Sequence, residues 1–229
     1  MGSFASKGQE RQKVEPILKL LKMYDTVIIV DDSLSMSGAR WKQAGKALAK
    51  LAKLAAEYDE DGLDIFFLNS NESEQGIKDP QEVAALFKRV SPRDLTPIGK
   101  RLRGFLEEYI TQYRHNSGIK RVNYIVITDG EANDQEKENK VERVIVNAAQ
   151  KLDDLNAPIS QVGIQFVQIG TDESARRFLE MLDDTLKNKY KIRDMVDTTV
   201  NFNDGPIDLV KALVGGINKR VDGGTIVTG

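Results

Sequence analysis

The chain has 229 residues, a length that is usual for one globular domain and sufficient to bury a full hydrophobic core. Its 33 basic and 35 acidic residues leave a net charge of -2, so the composition argues against a nucleic-acid-binding protein. The absence of cysteine excludes disulfides, thiolate metal sites and cysteine nucleophiles. No apolar stretch reaches the length of about 20 residues that spans a bilayer, and the start lacks an apolar signal-peptide core, so we expect a cytoplasmic protein.

Strand-like and helix-like segments alternate along the chain. The predicted strands cover 26–30, 63–68, 122–128, 162–169 and 195–200, and the polar loop 69–79 has room for a short edge strand. The predicted helices cover 40–58, 80–90, 97–113, 141–155, 173–186 and 207–217. This alternation predicts an α/β fold of the Rossmann-like type: a doubly wound, mostly parallel sheet of strand order 3-2-1-4-5-6 with helices on both faces.

The two ends of the chain differ in composition from its middle. Residues 1–22 are predicted to form an N-terminal arm with a short helix, 23–221 the folded domain, and 222–229 a frayed, glycine-rich tail. The start satisfies the Met-Gly-x-x-x-Ser pattern for myristoylation of Gly2, although Met-Gly-Ser is also a common start of recombinant proteins. A single myristoyl chain would give only weak membrane association.

Asp31, Ser33 and Ser35 form an Asp-x-Ser-x-Ser triplet directly after the first predicted strand. This places them at the carboxyl end of a strand, where open α/β sheets bind their ligands. One carboxylate and two hydroxyls within five residues are compact, hard oxygen donors that suit Mg²⁺, Mn²⁺ or Ca²⁺. The triplet therefore predicts a site for a divalent metal ion.

Asp129 and Thr96 are expected to lie near this triplet. Asp129 follows the strand 122–128, and strands one and four are neighbours in the predicted order, so Asp31 and Asp129 should face one crevice. Thr96 precedes Pro97, which suits the first position of a helix with Thr96 as its cap. The Thr96 hydroxyl is thus either a helix cap or a ligand of the same cation. Asp31 and Asp129 have a similar alternative as helix-capping carboxylates.

These five residues resemble the metal-ion-dependent adhesion site of the von Willebrand factor type A domain family. That family's motif is Asp-x-Ser-x-Ser, then a Thr before the third helix, then an Asp in a Thr-Asp-Gly turn. The chain supplies, in this order, Asp31, Ser33, Ser35, Thr96 and Asp129. The resemblance runs from about residue 24 to residue 220, and the segments 161–170 and 193–199 further resemble stand-alone intracellular members found in fungal genomes.

The resemblance implies a non-enzymatic protein-interaction module. Ser33, Ser35 and Thr96 would offer hydroxyls to a cation, with Mg²⁺ as the first expectation and Mn²⁺ or Ca²⁺ as alternatives. Asp31 and Asp129 would act directly or through waters that they orient. Because three of these donors are neutral, the ion would stay electrophilic, and the carboxylate of an acidic partner residue would complete its coordination.

Two other functions stay open at this stage. The first is a metal-dependent phosphatase or phosphotransferase, although Asp31-Asp32-Ser33 lacks the Asp-x-Asp spacing of haloacid-dehalogenase-type phosphatases and the sequence has no Gly-x-x-x-x-Gly-Lys phosphate loop. The second is a scaffold with a purely structural metal, in which Asp32 or Glu131 closes the coordination sphere. The acidic run 131–142 is otherwise predicted to be a solvated loop and helix start.

Overall fold

The computed structural model describes residues 15–200, 202–203 and 205–218; the predicted myristoylation motif and the tail 222–229 lie outside them. The strands are β1 (Tyr24–Val30), β2 (Leu63–Phe67), β3 (Ser73–Ile77), β4 (Arg121–Thr128), β5 (Val162–Gln168) and β6 (Val196–Thr199). The α-helices are α1 (Ala39–Ala55), α2 (Pro80–Arg89), α3 (Ile98–His115), α4 (Val141–Asp154), α5 (Glu173–Asp184), α6 (Leu186–Tyr190) and α7 (Pro206–Val214). A helical turn over 15–18 continues into a 3-10 helix, Lys19–Met23, before β1.

The strands form one sheet of order β3-β2-β1-β4-β5-β6. Neighbouring strands are parallel except for β2 and β3, so β3 is an antiparallel edge strand. The predicted strand order and mostly parallel topology are therefore confirmed. Since β1 lies between β2 and β4, the direction of winding reverses there and opens a crevice at the carboxyl ends of β1 and β4.

Helices cover both faces of the sheet and enclose two hydrophobic cores. In one core, Ile28 and Ile127 pack with residues of α1, α2 and α7. In the other, Ile29 and Val126 pack with residues of α3, α4, α5 and α6. Because successive residues of a central strand enter opposite cores, such a strand must be apolar at nearly every position. This explains why the second half of β1, residues 27–30, is an unbroken apolar run.

The helices lie near their predicted positions, and one predicted helix is divided in two. The predicted helix 173–186 is divided: α5 ends at Asp184, and α6 continues to Tyr190 before Lys191 adopts a left-handed φ of 55°. In the segment before β1, Leu18 and Leu21 are buried in the core formed with α1. Among the described residues, no helix combines the length and the hydropathy needed to cross a membrane.

Candidate metal centre

The loop after β1 is a single 3-10 turn that carries the predicted triplet. The turn spans Leu34–Met36 and is closed by a hydrogen bond from the Met36 N–H to the Ser33 carbonyl at 3.0 Å. Met36 is fully buried in the core and anchors the turn, whereas Ser35 is exposed to solvent. The turn thus brings the Ser33 and Ser35 hydroxyl oxygens to 3.1 Å from each other.

Asp31 is a buried carboxylate at the base of this turn. The Asp31 N–H extends the β1–β4 ladder by donating to the Ile127 carbonyl at 2.8 Å. Its Oδ1 accepts the Ser33 N–H at 2.8 Å, and its Oδ2 accepts the Thr128 hydroxyl at 2.6 Å. Burial raises the pKa of Asp31 to about 6; hydrogen bonds from Ser33 and Thr128 oppose the rise, and the charge of Asp129 adds to it. A nearby cation would favour the ionised form of this carboxylate.

Asp129, directly after β4, connects the two serines to the start of α1. Its Oδ1 accepts the Ser35 hydroxyl at 2.8 Å. Its Oδ2 accepts the Arg40 Nη1 at 2.6 Å, and Arg40 also donates to the Ser35 carbonyl at 3.2 Å. Four of the five predicted ligands, Asp31, Ser33, Ser35 and Asp129, are therefore joined through consecutive hydrogen bonds.

Thr96 lies on a neighbouring loop and is joined to the site through backbone contacts. Its N–H donates to the Asn133 Oδ1 at 2.8 Å, and its carbonyl accepts the Asn133 N–H at 3.1 Å. These two bonds hold the Thr96 loop against the loop that follows Asp129. The Asp94 carbonyl accepts the Leu34 N–H at 3.2 Å, which also ties the Thr96 loop to the triplet turn. Within the described residues, the hydrogen bonds of Thr96 run through its backbone, so its hydroxyl stays available to a ligand.

Of the two alternatives for Thr96, the helix cap is not what the structure shows. Helix α3 begins at Ile98, one residue later than predicted, and its N-cap position makes no side-chain cap. The cap comes instead from Asp134, whose two carboxylate oxygens accept the N–H groups of Gly99 and Lys100, each at 2.9 Å. A carboxylate at this position also interacts favourably with the helix dipole. The loop after β4 therefore positions both Thr96 and the start of α3.

Asp32 has a structural role next to the site. It is fully buried, and its Oδ1 and Oδ2 accept the N–H groups of Asn69 at 2.8 Å and Ser70 at 2.9 Å. This carboxylate thereby fixes the loop that follows β2. Both oxygens of Asp32 accept from this loop, whereas Asp31 accepts from Ser33 within the triplet itself.

The acidic run 131–142 is only partly the solvated segment that the sequence predicts. Glu131 is exposed, as expected for such a loop. Asp134 and Asn139 are instead 6% and 5% exposed, respectively. The prediction is wrong for these two residues, since the start of α3 packs on this loop and buries them.

The oxygen positions fit a small divalent cation. Adjacent ligands in a Mg²⁺ octahedron, with bonds of about 2.0–2.1 Å, lie about 2.9 Å apart. The Ser33 and Ser35 hydroxyls are separated by 3.1 Å, and Ser35 Oγ lies 2.8 Å from Asp129 Oδ1. In the described part of the chain, no three His, Cys, Asp or Glu side chains surround a common metal position. A cation held here would thus have two carboxylates and several neutral hydroxyls as its protein donors.

Comparison with known proteins supports the fold. A crystal structure of the manganese-loaded Plasmodium vivax TRAP protein matches 86% of this chain and 74% of its own length, with a TM-score of 0.52 and 17% sequence identity. No protein-family model matches the sequence. No curated protein matches it either. At this level of identity the likeness shows the fold alone, and together with the strand order it identifies a fold like that of the von Willebrand factor type A domain. The narrower resemblance to fungal members stays a prediction, as does the metal-ligand set.

Sequence analysis alone missed Arg40 and Asp134. Arg40 contacts a residue 89 positions away, and Asp134 contacts residues 34 and 35 positions away. A local pattern cannot pair such distant residues. The one usable signal for Arg40 was its place at the start of the helix that follows the triplet, because that position faces the predicted crevice.

Proposed function

We propose that this chain is a non-enzymatic protein-interaction module, in which a divalent cation bridges to an acidic side chain of a partner protein. The proposed ligands are Asp31, Ser33, Ser35, Thr96 and Asp129. Mg²⁺ is the first choice because the site is small and its donors are hard oxygens, with Mn²⁺ and Ca²⁺ as alternatives. We further propose a cytoplasmic location, a protein rather than a nucleic acid as partner, and weak membrane association if Gly2 is myristoylated.

One observation carries the proposal: three side-chain oxygens from two loops converge at the crevice between β1 and β4. Ser33 Oγ, Ser35 Oγ and Asp129 Oδ1 follow one another at separations of 3.1 and 2.8 Å. Beneath them, Asp31 is a fully buried carboxylate with a raised pKa. Among the described residues, no cationic side chain contributes to the pKa of Asp31, and a cation bound at the hydroxyls would supply positive charge there.

The proposed ligands would contribute to metal binding in different ways. The hydroxyls of Ser33 and Ser35 would contact the ion; Ser35 is exposed to solvent, whereas Ser33 is buried beside it. Asp31 and Asp129 would supply negative charge, directly or through water. A bound cation of this kind supplies an electrophilic centre that an external carboxylate can approach.

Asp31 is poorly suited to act as the nucleophile of a phosphatase. It is fully buried, and each of its two oxygens already accepts a hydrogen bond. An attacking carboxylate must reach the phosphorus atom of its substrate, and the full burial of Asp31 works against such contact. This burial favours the interaction module over the phosphotransferase.

Titration calorimetry tests the metal site. Wild-type protein should bind one Mg²⁺ or Mn²⁺, and Asp31→Ala should bind neither, because the buried charge beneath the ion is lost. Ser35→Ala should weaken binding, whereas Ser37→Ala, in the same exposed loop, is the matched control and should leave affinity unchanged. Equal binding by wild type and Asp31→Ala would reject the site.

Partner capture tests the bridging role. Immobilised wild-type protein should retain an acidic partner from cell extract in Mg²⁺ and release it in chelator, while Thr96→Ala and Asp129→Ala should capture none. Circular dichroism should show that both variants remain folded, since these residues serve the ion rather than the core. Retention of the same partner in chelator would favour a scaffold whose metal, if bound, is structural.

A further inference from the structure

Arg40 lies where its charge affects the metal centre most directly. It is the second residue of α1, which begins after Gly38 with a φ of +77°. Its guanidinium donates to Asp129 Oδ2 at 2.6 Å. The Asp129 side chain is 1% exposed, whereas that of Arg40 is 41% exposed. The ion pair therefore joins a buried carboxylate to a cation that reaches it from the solvent side.

This arrangement gives Asp129 a positive partner before any metal arrives. One carboxylate oxygen is bonded to Ser35 and the other to Arg40. A divalent ion at the serine hydroxyls would lie within a few ångströms of the guanidinium, and like charges at such separations repel strongly. Metal and Arg40 therefore compete for the same negative charge.

A second carboxylate, that of Asp172, lies close enough to Arg40 for their charges to interact. An added Cβ on Gly170 would lie 3.3 Å from Arg40 Nε, so the side chain passes beside Gly170. Two residues later, Asp172 is the exposed N-cap of α5. The pKa of Asp172 is lowered mainly by hydrogen bonds from Ala175 and Ser174, and the charge of Arg40 contributes further. Arg40 thus has a second carboxylate within electrostatic reach besides Asp129.

We propose that Arg40 is a built-in competitor of the divalent cation: metal binding requires its guanidinium to leave Asp129 and turn toward Asp172. The inference rests on the proposed metal site and assigns to it a residue that sets its affinity. In the metal-free protein, Arg40 neutralises the charge of Asp129. In the metal-bound protein, the ion takes over this neutralisation.

A purely structural role for Arg40 predicts the opposite change in metal affinity when Arg40 is replaced. If Arg40 only ties the start of α1 to the loop after β4, its loss would loosen the ligands and weaken metal binding. If Arg40 competes, its loss strengthens metal binding although the metal-free protein becomes less stable. The sign of the change in affinity therefore separates the two roles.

The decisive experiment is calorimetric titration of Mg²⁺ into wild type, Arg40→Gln and the control Arg89→Gln. Arg89 forms exposed ion pairs with Glu72 and Glu74 on the β3 side of the sheet, so its replacement should leave metal affinity unchanged. Arg40→Gln should bind at least about tenfold more tightly, because a like charge is removed from the site. The gain should shrink at high ionic strength, since Arg40 is accessible to salt.

Asp172→Asn provides an independent second variant. Asparagine retains the N-cap hydrogen bonds to Ser174 and Ala175, because Asn caps helices as well as Asp does. It removes the charge that receives the displaced guanidinium, so metal affinity should fall. In the Arg40→Gln background the same substitution should have little further effect.

The outcomes distinguish this inference from the proposed function. Wild type that binds Mg²⁺ with an affinity equal to or above that of Arg40→Gln overturns the competitor role and leaves the metal site standing. Absence of binding in wild type, Arg40→Gln and the control alike overturns both. An equal effect of Asp172→Asn in the presence and absence of Arg40 would also refute the proposed movement.

Discussion

Replacing Asp31 by asparagine should stabilise the metal-free protein while abolishing its metal binding. Burial raises the pKa of Asp31 from 3.8 to about 6. The folded protein therefore binds a proton here more tightly than the unfolded chain does, and its stability falls as the pH rises from about 4 to about 6. Above this range the ionised carboxylate destabilises the fold by about 3 kcal/mol, at about 1.4 kcal/mol per pKa unit.

Asparagine removes this charge and can keep both hydrogen bonds. Its oxygen can accept the Ser33 N–H, and its NH₂ group can donate to the Thr128 hydroxyl, which can turn its own hydrogen to the Gly130 carbonyl at 3.3 Å. Metal-free Asp31→Asn should therefore be more stable than wild type by up to about 3 kcal/mol at pH values near 8. For a domain of this size, that corresponds to a rise in Tm of roughly 6 to 12 °C.

The neighbouring residue supplies a matched control with the opposite sign. Asp32 accepts two backbone N–H groups, and asparagine has only one acceptor oxygen with which to replace them. Asp32→Asn should therefore leave a buried N–H unsatisfied and destabilise the fold by about 1–3 kcal/mol.

The assay is thermal unfolding in chelator and in Mg²⁺, followed by circular dichroism between about pH 4 and pH 8. The gap between Asp31→Asn and wild type should close toward pH 4, where the carboxyl is protonated in both folded and unfolded states. Added Mg²⁺ should raise the Tm of wild type and leave that of Asp31→Asn unchanged. A metal-free Asp31→Asn variant that is less stable than wild type at pH 8 would refute the reasoning, since Asp31 would then be needed by the fold itself.

Three further predictions concern the surroundings of the site. Mg²⁺ affinity should be constant above about pH 6 and fall roughly tenfold per unit below it, because protons then compete for Asp31; calorimetry at several pH values measures this. Asp134→Ala removes the cap of α3 beside Thr96. It should therefore lower the free energy of unfolding by about 1–2 kcal/mol, measured by chemical denaturation, and weaken Mg²⁺ binding, measured by calorimetry. Arg193→Ala should lower the free energy of unfolding by about 2–4 kcal/mol, because Arg193 bonds to Asp153 and to two backbone carbonyls. These contacts lie at the opposite end of the sheet, so Mg²⁺ affinity should not change. Arg193→Lys should be similarly unstable, since lysine cannot make all three bonds.

The fold could be predicted from the sequence because its information is local. The central strands are mostly apolar and the longer helices have an apolar stripe, so the type of each element and its place along the chain follow from periodicity. The strand order then places the residues that follow β1 and β4 in one crevice, which is why Asp31 and Asp129 could be expected to meet. Their observed connection through Ser33 and Ser35 agrees with that expectation.

The rest could not be predicted because it depends on contacts between distant segments. Thr96 has good capping chemistry, yet Asp134 provides the cap from the loop after β4. Asp31 and Asp32 are adjacent and chemically identical, yet one accepts a hydroxyl from β4 and the other two N–H groups from the loop after β2. Neither difference has a local signature, since each partner is distant in the sequence and is brought near only by the fold.

Asp31 and Asp32 accept hydrogen bonds from different kinds of donor, and this difference is relevant to the proposed metal site. Asp32 accepts two backbone N–H groups from the loop after β2. Asp31 accepts one backbone N–H and one hydroxyl, and burial raises its pKa, which means that the fold alone does not fully compensate its charge. A ligand present at about 100 times its Kd stabilises the folded state by about 2.7 kcal/mol, close to the roughly 3 kcal/mol that ionised Asp31 costs. A cation bound in this range would offset that cost almost completely.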